Sequence, residues 1–321
     1  MSDISKLKTQ NLKLPIIVGP TGVGKSEITY QLALRIKADV ISADAYQVYR
    51  GLEVGTAQPD EAWRKKIPHH LVGIRKITEP WNAVTFAKEA LNAISKVQAN
   101  GRRPLIVGGA GFYLKALVEG APEGKASADE IRSMVATKVK DLGPNGAHGW
   151  LKERDPVTAK RLHPNDTQRV CRALEKTFTL ETTPFLQKKG KGSSEFKPLG
   201  EKNVRFIGLE RSRDNLDRLL MIRTESIWTG GLLEETKALS SQGLQETSPL
   251  WGAIGYAEAA AYLRGEITQP QAIERIYRRT RQYAKRQWTW FKHQHEVEWI
   301  NLDEFSDLSD VVDLLEMKIK L

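Results

Sequence analysis

Apolar and polar positions change rhythm twice along the chain. Up to about Gly120, short continuous apolar runs alternate with stretches whose apolar residues recur every three to four positions. Leu14 to Val18, Ala38 to Ser42 and Pro104 to Val107 read as strands buried on both faces, whereas Ile28, Leu32 and Ile36, and later Phe86, Ala90, Ile94 and Val97, mark helices packed on a sheet. Such alternation predicts an α/β fold with a parallel sheet. Residues 121–203 carry little strand signal and read as helices with loops, among them Ala128 to Val139 and a helix from Asp166 to Thr177 entered through His163-Pro164-Asn165. Val204 to Leu209 is a strand that returns to the first sheet. Helices follow from Arg213 to Trp228, then a Gly230-Gly231 stop, Leu232 to Leu239, Ala253 to Ile267, and a long basic stretch ending near Lys292. The predicted organisation is a core of residues 1–120 and 204–321, with an inserted helical domain at 121–203.

Composition narrows the setting. A length of 321 residues with 40% hydrophobic content favours two units over one. The formal charge of +10, from 49 basic and 39 acidic side chains, favours a polyanionic partner. A single cysteine, Cys171, excludes an intrachain disulfide and a cysteine metal cluster, and reads as a bystander thiol in a reducing compartment. No apolar run reaches bilayer length, so the expectation is a cytoplasmic protein with no membrane partner.

Chemistry is concentrated where the first strand meets the first helix. Gly19, Pro20, Thr21, Gly22, Val23, Gly24, Lys25 and Ser26 match the pattern of a phosphate-binding loop, in the strand, loop and helix context its mechanism requires. Glycines let successive N–H groups point at phosphate oxygens, Lys25 would neutralise them, and the Ser26 hydroxyl would meet a bound magnesium ion. The pattern alone reads as a nucleotide cradle for ATP, but leaves open whose phosphates are bound. The second strand ends in Asp44, Tyr46, Gln47 and Tyr49, where an open α/β sheet places its ligands. His69 and His70 lack metal-ligand spacing and read as structural or substrate-positioning. The third strand feeds a second glycine-rich turn, Gly108-Gly109-Ala110-Gly111-Phe112-Tyr113.

Two further stretches bear on a polyanion. Arg169 and Arg172 share a helical face with Gln168 at its start, and Lys188 to Asn203 reads as a basic mobile loop. From Arg275 to Lys292 there are seven basic residues, Arg275, Arg278, Arg279, Arg281, Lys285, Arg286 and Lys292, and no acidic one, interleaved with Tyr277, Tyr283, Trp288, Trp290 and Phe291. A basic helix with rings between its charges can hold a nucleic-acid backbone and offer planar faces to bases. The tail after Trp299 turns acidic and reads as a terminal helix outside the nucleic-acid path.

From residues alone the reaction stays open. A kinase or nucleotide hydrolase needs an acid at the end of a later strand, and the third strand ends without one. Asp44 is then the acid nearest the phosphates, which suits proton removal in a transfer reaction. A pure nucleic-acid-binding module would leave the loop and Asp44 idle.

The joint pattern of GPTGVGKS at 19–26, SADAYQVY at 42–49, VGTAQP at 54–59, PHHL at 68–71, VGGAGFY at 107–113, DPVTAKRLHPNDTQRVCRALE at 155–175, AIGYAE at 253–258 and TRQYAKRQWTW at 280–290 closely resembles the tRNA dimethylallyltransferase (tRNA isopentenyltransferase) family. The resemblance spans nearly the whole chain and implies a P-loop NTPase-like core. It also implies transfer of a dimethylallyl group from dimethylallyl diphosphate to N6 of adenosine 37 in the tRNA anticodon loop, with magnesium, in tRNAs reading codons that begin with U. A P-loop NTPase or kinase acting on RNA and a catalytically weakened tRNA-binding paralogue are the alternatives.

On that resemblance Asp44 is the catalytic aspartate. The loop Gly19 to Ser26, with Lys25 acting in catalysis, and Arg223 bind the diphosphate. The implied tRNA contacts are Asp44, Ala45, Tyr46 and Gln47; Arg132; Gln168, Arg169, Val170, Cys171 and Arg172; Gly252, Ala253, Ile254, Gly255, Tyr256 and Ala257; and Arg278, Arg281, Lys285 and Arg286. A monomer is the expected working form. Four positions depart from the family pattern: Ala110 replaces a threonine expected to assist at the reacting amine, Ala45 a serine, Ala257 a lysine or arginine, and Leu219 an arginine four residues before Arg223.

Overall fold

The computed structural model describes residues 13–120, 129–182, 196–242, 244 and 248–320. The N-terminal stretch and the basic segment from Lys188 to residue 195 lie outside the described residues. The chain divides into two compact units, Met1–Ala121 with Phe196–Leu321, and Pro122–Glu195.

The larger unit is built on one parallel sheet. Its strands are β1 (Leu14–Val18), β2 (Ala38–Ala43), β3 (His69–His70), β4 (Arg103–Gly108), β5 (Val204–Glu210) and β6 (Val297–Asn301), in the order β3-β2-β4-β1-β5-β6. Ile16 of β1 is level with Ile106 on one side and Phe206 on the other. Every residue of β1 is buried, as a parallel strand covered on both faces requires. Alternate residues serve opposite layers. Leu14, Ile16 and Val18 pack with Phe86, Ala90 and Ile94 of α3 (Ala83–Ala99) and Leu114 and Leu117 of α4 (Gly111–Glu119). Ile17 packs with Ile28 and Leu32 of α1 (Lys25–Ile36) and with Val312 and Leu315 of α12 (Leu308–Lys320).

Two strands went unread in the sequence. The two residues of β3 are too few for periodicity, yet they pair with Val40 and Ile41 of β2. Strand β6 follows the basic helix directly and pairs with β5 over Phe206 to Glu210. The acidic tail is therefore a core element as well as a helix, with Val311, Val312, Leu315 and Ile319 buried.

A third cluster lies beyond the sheet, made by α8 (Arg213–Ile227), α9 (Leu233–Ser241), α10 (Tyr256–Leu263) and α11 (Gln269–Gln294). It joins Val48, Tyr49 and Leu52, from the loop after β2, to Trp228, Leu232, Tyr256 and Ile276. The Gly230-Gly231 pair does not stop the chain's winding outright. A π-type turn over Trp228–Leu232 carries α8 into α9, and the axis breaks at Gly231, whose φ of 115° is reserved in practice for glycine.

The smaller unit holds α5 (Asp129–Arg154), α6 (Pro156–Ala159) and α7 (Thr167–Thr182). Helix α5 runs further than its periodicity indicated, because Gly143 and Pro144 kink it and reset the apolar phase. Val135, Val139, Trp150, Leu151, Val170 and Leu174 form its core. Among the described residues no helix is long and apolar enough to cross a membrane.

Candidate active site

The C-terminal ends of β1, β2 and β4 open into a cleft of about 470 Å³ in the larger unit. The loop after β1 forms one wall. Gly24 caps α1 in a left-handed conformation with no side-chain cap, so the first-turn amides of α1 face outward as an anion site. At Gly22, φ is +79° and a Cβ would lie 2.4 Å from Leu220 Cδ2, so α8 packs where only glycine fits. Lys25 Nζ donates to the carbonyls of Gly19 at 2.9 Å and Pro20 at 2.8 Å.

Arg223 of α8 lines the same cleft and is half-buried. Desolvation first, then the Arg223 charge, push the Lys25 ammonium down to about 7, while Asp44 acts in the opposite sense. Burial also pushes Arg223 down, against the pull of Asp44. Two cations and one carboxylate thus share a water-poor space, an excess of positive charge that an anionic ligand would neutralise.

Asp44 follows β2. Its Oδ1 accepts from the amides of Tyr46 at 2.8 Å and Gln47 at 3.2 Å, an Asx turn that fixes the carboxylate, and Asp44 lines the cleft. The Gln47 side chain is itself anchored, accepting from Ser42 Oγ at 2.9 Å and donating to the carbonyls of Thr56 and Ala57 at 3.2 Å each. Tyr46, Tyr113 and Tyr283 all have hydroxyls raised by burial and by the Asp44 charge, so they stay protonated donors around it. Ala110 sits beside this group as the N-cap of α4, without a capping side chain, its amide donating to Ala43 O at 3.2 Å. Leu219, one helical turn before Arg223, lines the cleft. Among the described residues, the one cluster of three ligand-type side chains is Glu119, Glu201 and His295, none of which lines the cleft.

The Gly252 to Ala257 segment is brought against the Asp44 loop. A Cβ on Gly252 would lie 3.4 Å from the Tyr46 hydroxyl, and one on Gly55 would collide with Tyr256 at 2.5 Å. Glu235 ties the two together, accepting from Val54 N at 2.8 Å, Gly55 N at 2.9 Å and the Tyr256 hydroxyl at 2.5 Å. Glu258, buried, accepts from Gly255 N at 3.0 Å and Arg279 Nη1 at 2.5 Å. Removing Glu258 leaves both donors without it. Glu258→Ala is expected to lower stability by about 2 kcal/mol, less than for a fully buried pair because Arg279 is partly exposed. The denaturant midpoint measures it.

The basic helix α11 divides its charges. Arg278, Lys285 and Arg286 are exposed. Arg279 is held by Glu258 and by Gly252 O at 3.0 Å, and Arg281 is forked onto Asp217 of α8 with both contacts at 2.8 Å. The interleaved rings are less open than the sequence suggests: Phe291 is buried, Tyr277, Tyr283, Trp288 and Trp290 are half-buried, and Tyr283 lines the cleft. Phe291 is fully buried, Trp290 packs where Gly111 leaves room, and Trp288 donates to Glu210 at 2.9 Å. These rings anchor the helix to the sheet. His70 Nε2 donates to Asp39 Oδ2 at 3.1 Å, and His69 lines the cleft.

In the smaller unit, Gln168, Arg169 and Arg172 of α7 are exposed, as is Arg132 of α5. Val170 is buried and Cys171 half-buried, so these two belong to that unit's own packing. Sequence reasoning missed Gln287, Trp63, Glu235 and Glu258. Gln287, Trp63 and Glu235 meet partners far away in sequence, which no local spacing marks; Glu258 has a local partner in Gly255 N, but its ion pair with Arg279 of α11 does not show in the sequence.

A family model described as IPP transferase matches residues 47–294. The tRNA dimethylallyltransferase of Pelotomaculum thermopropionicum is 35% identical over 307 residues, covering 94% of this chain and 95% of that protein. That of Geobacter sulfurreducens is 36% identical, covering 92% and 96%. Among solved structures, the full-length tRNA isopentenylpyrophosphate transferase of Bacillus halodurans superposes with a TM-score of 0.65 at 33% identity, covering 96% of this chain and 97% of that one. A eukaryotic dimethylallyltransferase acting on tRNA gives 0.68 at 28% identity, covering 91% and 75%. With relatives matched over nearly their full length and the glycine loop, Asp44 and Arg223 gathered in one cleft, the chain belongs to the IPP transferase family.

Proposed function

We propose that this protein transfers a dimethylallyl group from dimethylallyl diphosphate to N6 of adenosine 37 in tRNAs that read codons beginning with U. The observation that carries the reading is the cleft itself, where Asp44 stands across from two cations and a helix N-terminus. In this reading a flipped adenine offers its amine to Asp44 Oδ2. As the nitrogen attacks the allylic carbon, the carbon–oxygen bond to the diphosphate breaks, and Asp44 takes the amine proton. Lys25, Arg223 and the loop amides meet the charge that develops on the leaving group. Flipping costs a few kcal/mol, offset by contacts around the base. The bases of the anticodon loop would lie toward Gly252 to Ala257, the backbone toward Arg278, Lys285 and Arg286, and the smaller unit would add Arg132, Gln168, Arg169 and Arg172.

Magnesium fits the donor set. Ser26 is exposed at the cleft, its hydroxyl a hard oxygen donor that would leave the remaining positions to water and diphosphate oxygens. When bound, the ion would neutralise charge on the departing diphosphate.

Purified protein given undermodified tRNA, dimethylallyl diphosphate and magnesium is expected to add one C5H8 unit to the tRNA by mass spectrometry. RNA-stimulated ATP hydrolysis without prenyl transfer would contradict the reading. The ammonium form of Lys25 is the one that binds phosphate, and in the free protein it is lost as pH rises through about 7. Affinity for inorganic pyrophosphate is therefore expected to weaken above that pH, by up to about tenfold per unit. Calorimetry checks this against Lys25→Arg, whose guanidinium keeps its charge and removes that component of the profile. Restoring a hydroxyl with Ala110→Thr, beside Asp44, is expected to raise the single-turnover rate by roughly threefold to tenfold, a typical neutral hydrogen bond.

A further inference from the structure

Gln287 is a polar residue inside the buried face of α11, only 6% exposed. Burying a side-chain amide is costly unless its donors and acceptor are used. Here they are. Its Oε1 accepts from the Thr21 amide at 2.8 Å, in the phosphate loop, and its Nε2 donates to Gly109 O at 3.1 Å, in the second glycine-rich turn. The fit is close enough that a Cβ on Gly109 would sit 2.0 Å from Gln287 Nε2. One side chain of the basic helix thus holds both glycine-rich turns that frame the cleft.

The contacts continue outward. Tyr283 lies one turn before Gln287 and lines the cleft with it, and the exposed Arg286 has its guanidinium 5.8 Å from the Tyr283 ring centre. A line of neighbouring groups, Arg286, Tyr283 and Gln287, runs from an exposed cation on α11 to a backbone N–H of the phosphate loop. An apolar residue would have filled the same interior position without desolvating an amide, so packing alone does not account for a glutamine here.

We infer that Gln287 is a positioning residue that couples RNA docking on α11 to the grip of the phosphate loop on diphosphate. The inference rests on the proposed function for the identity of the two ligands. RNA that draws Arg286 and Tyr283 into contact shifts Gln287, and with it the Thr21 amide and Gly109 carbonyl. Each ligand then strengthens the other by the same factor, as linkage requires.

The test is a thermodynamic cycle on the full-length protein. Binding of inorganic pyrophosphate with magnesium is measured with and without a saturating anticodon stem-loop, in the wild type, Gln287→Ala and Gln287→Glu. The glutamate keeps an acceptor for Thr21 N but removes the donor to Gly109 O. The wild type is expected to bind pyrophosphate at least fivefold more tightly with the RNA present. Both variants are expected to reduce that factor to below twofold, while RNA affinity alone changes less than threefold. A coupling factor equal in wild type and either folded variant, or absent from a wild type that performs transfer, overturns the inference. Absence of transfer by the wild type overturns the underlying function instead, so the two failures are distinguishable. Thermal unfolding of both variants separates a lost coupling from a lost fold.

Discussion

Asp44→Ala is expected to lower the single-turnover transfer rate by about 10³-fold, within the range of a removed general base, while the tRNA dissociation constant changes less than about threefold. The carboxylate has two jobs in this structure, and the prediction separates them. Its Oδ1 holds the turn through Tyr46 N and Gln47 N, which leaves Oδ2 as the oxygen assigned to the amine proton. Asp44→Asn keeps an acceptor for the two amides but cannot take a proton. If the chemistry resides in Oδ2, the asparagine variant is as slow as the alanine variant yet keeps the wild-type melting temperature. A fast Asp44→Asn enzyme would assign Asp44 to positioning alone.

The second large effect is at Arg223. Arg223→Ala is expected to weaken dimethylallyl diphosphate binding by on the order of 10²-fold, the usual scale for truncating a desolvated charged contact. The loss carries a pH signature. The Arg223 charge is one of the causes that push Lys25 down to about 7, so removing it lets the Lys25 ammonium persist to higher pH. The fall in diphosphate affinity with rising pH should then begin above the wild-type midpoint. A variant that binds more weakly with an unmoved profile would show that Arg223 does not share the Lys25 field. Leu219, on the same face one turn earlier, supplies no charge to compensate.

The core of the fold was legible because its strongest signals are local. Leu14 to Val18, the loop and α1 together occupy one unbroken stretch, where the strand is buried throughout and Ile28, Leu32 and Ile36 face inward as their spacing indicates. Strands β3 and β6 were not legible. Two histidines carry no period, and Val297–Asn301 takes its place through pairing with β5 rather than through a strong apolar run. Ion pairing was equally hidden. Nothing near Arg281 in sequence announces Asp217, and nothing near Arg279 announces that Glu258 and Gly252 O hold it. A basic run therefore reads as uniformly available charge, when folding commits part of it to the protein. At the cleft, Lys25 and Ser26 could be read from spacing, and Asp44 from its place after a strand. Arg223 needed the family resemblance, and Gln287 was visible only once α11 lay against both glycine-rich turns.

The central claim is that the glycine loop holds the diphosphate of an alkyl donor whose acceptor is one adenine of tRNA. The most direct measurement is nuclease mapping by mass spectrometry of undermodified tRNA after reaction with dimethylallyl diphosphate, magnesium and the purified protein. The account predicts a gain of one C5H8 unit confined to the fragment carrying adenosine 37, absent when that position is guanosine. A unit found on another nucleotide, or unmodified tRNA from a protein that binds both ligands, would contradict it.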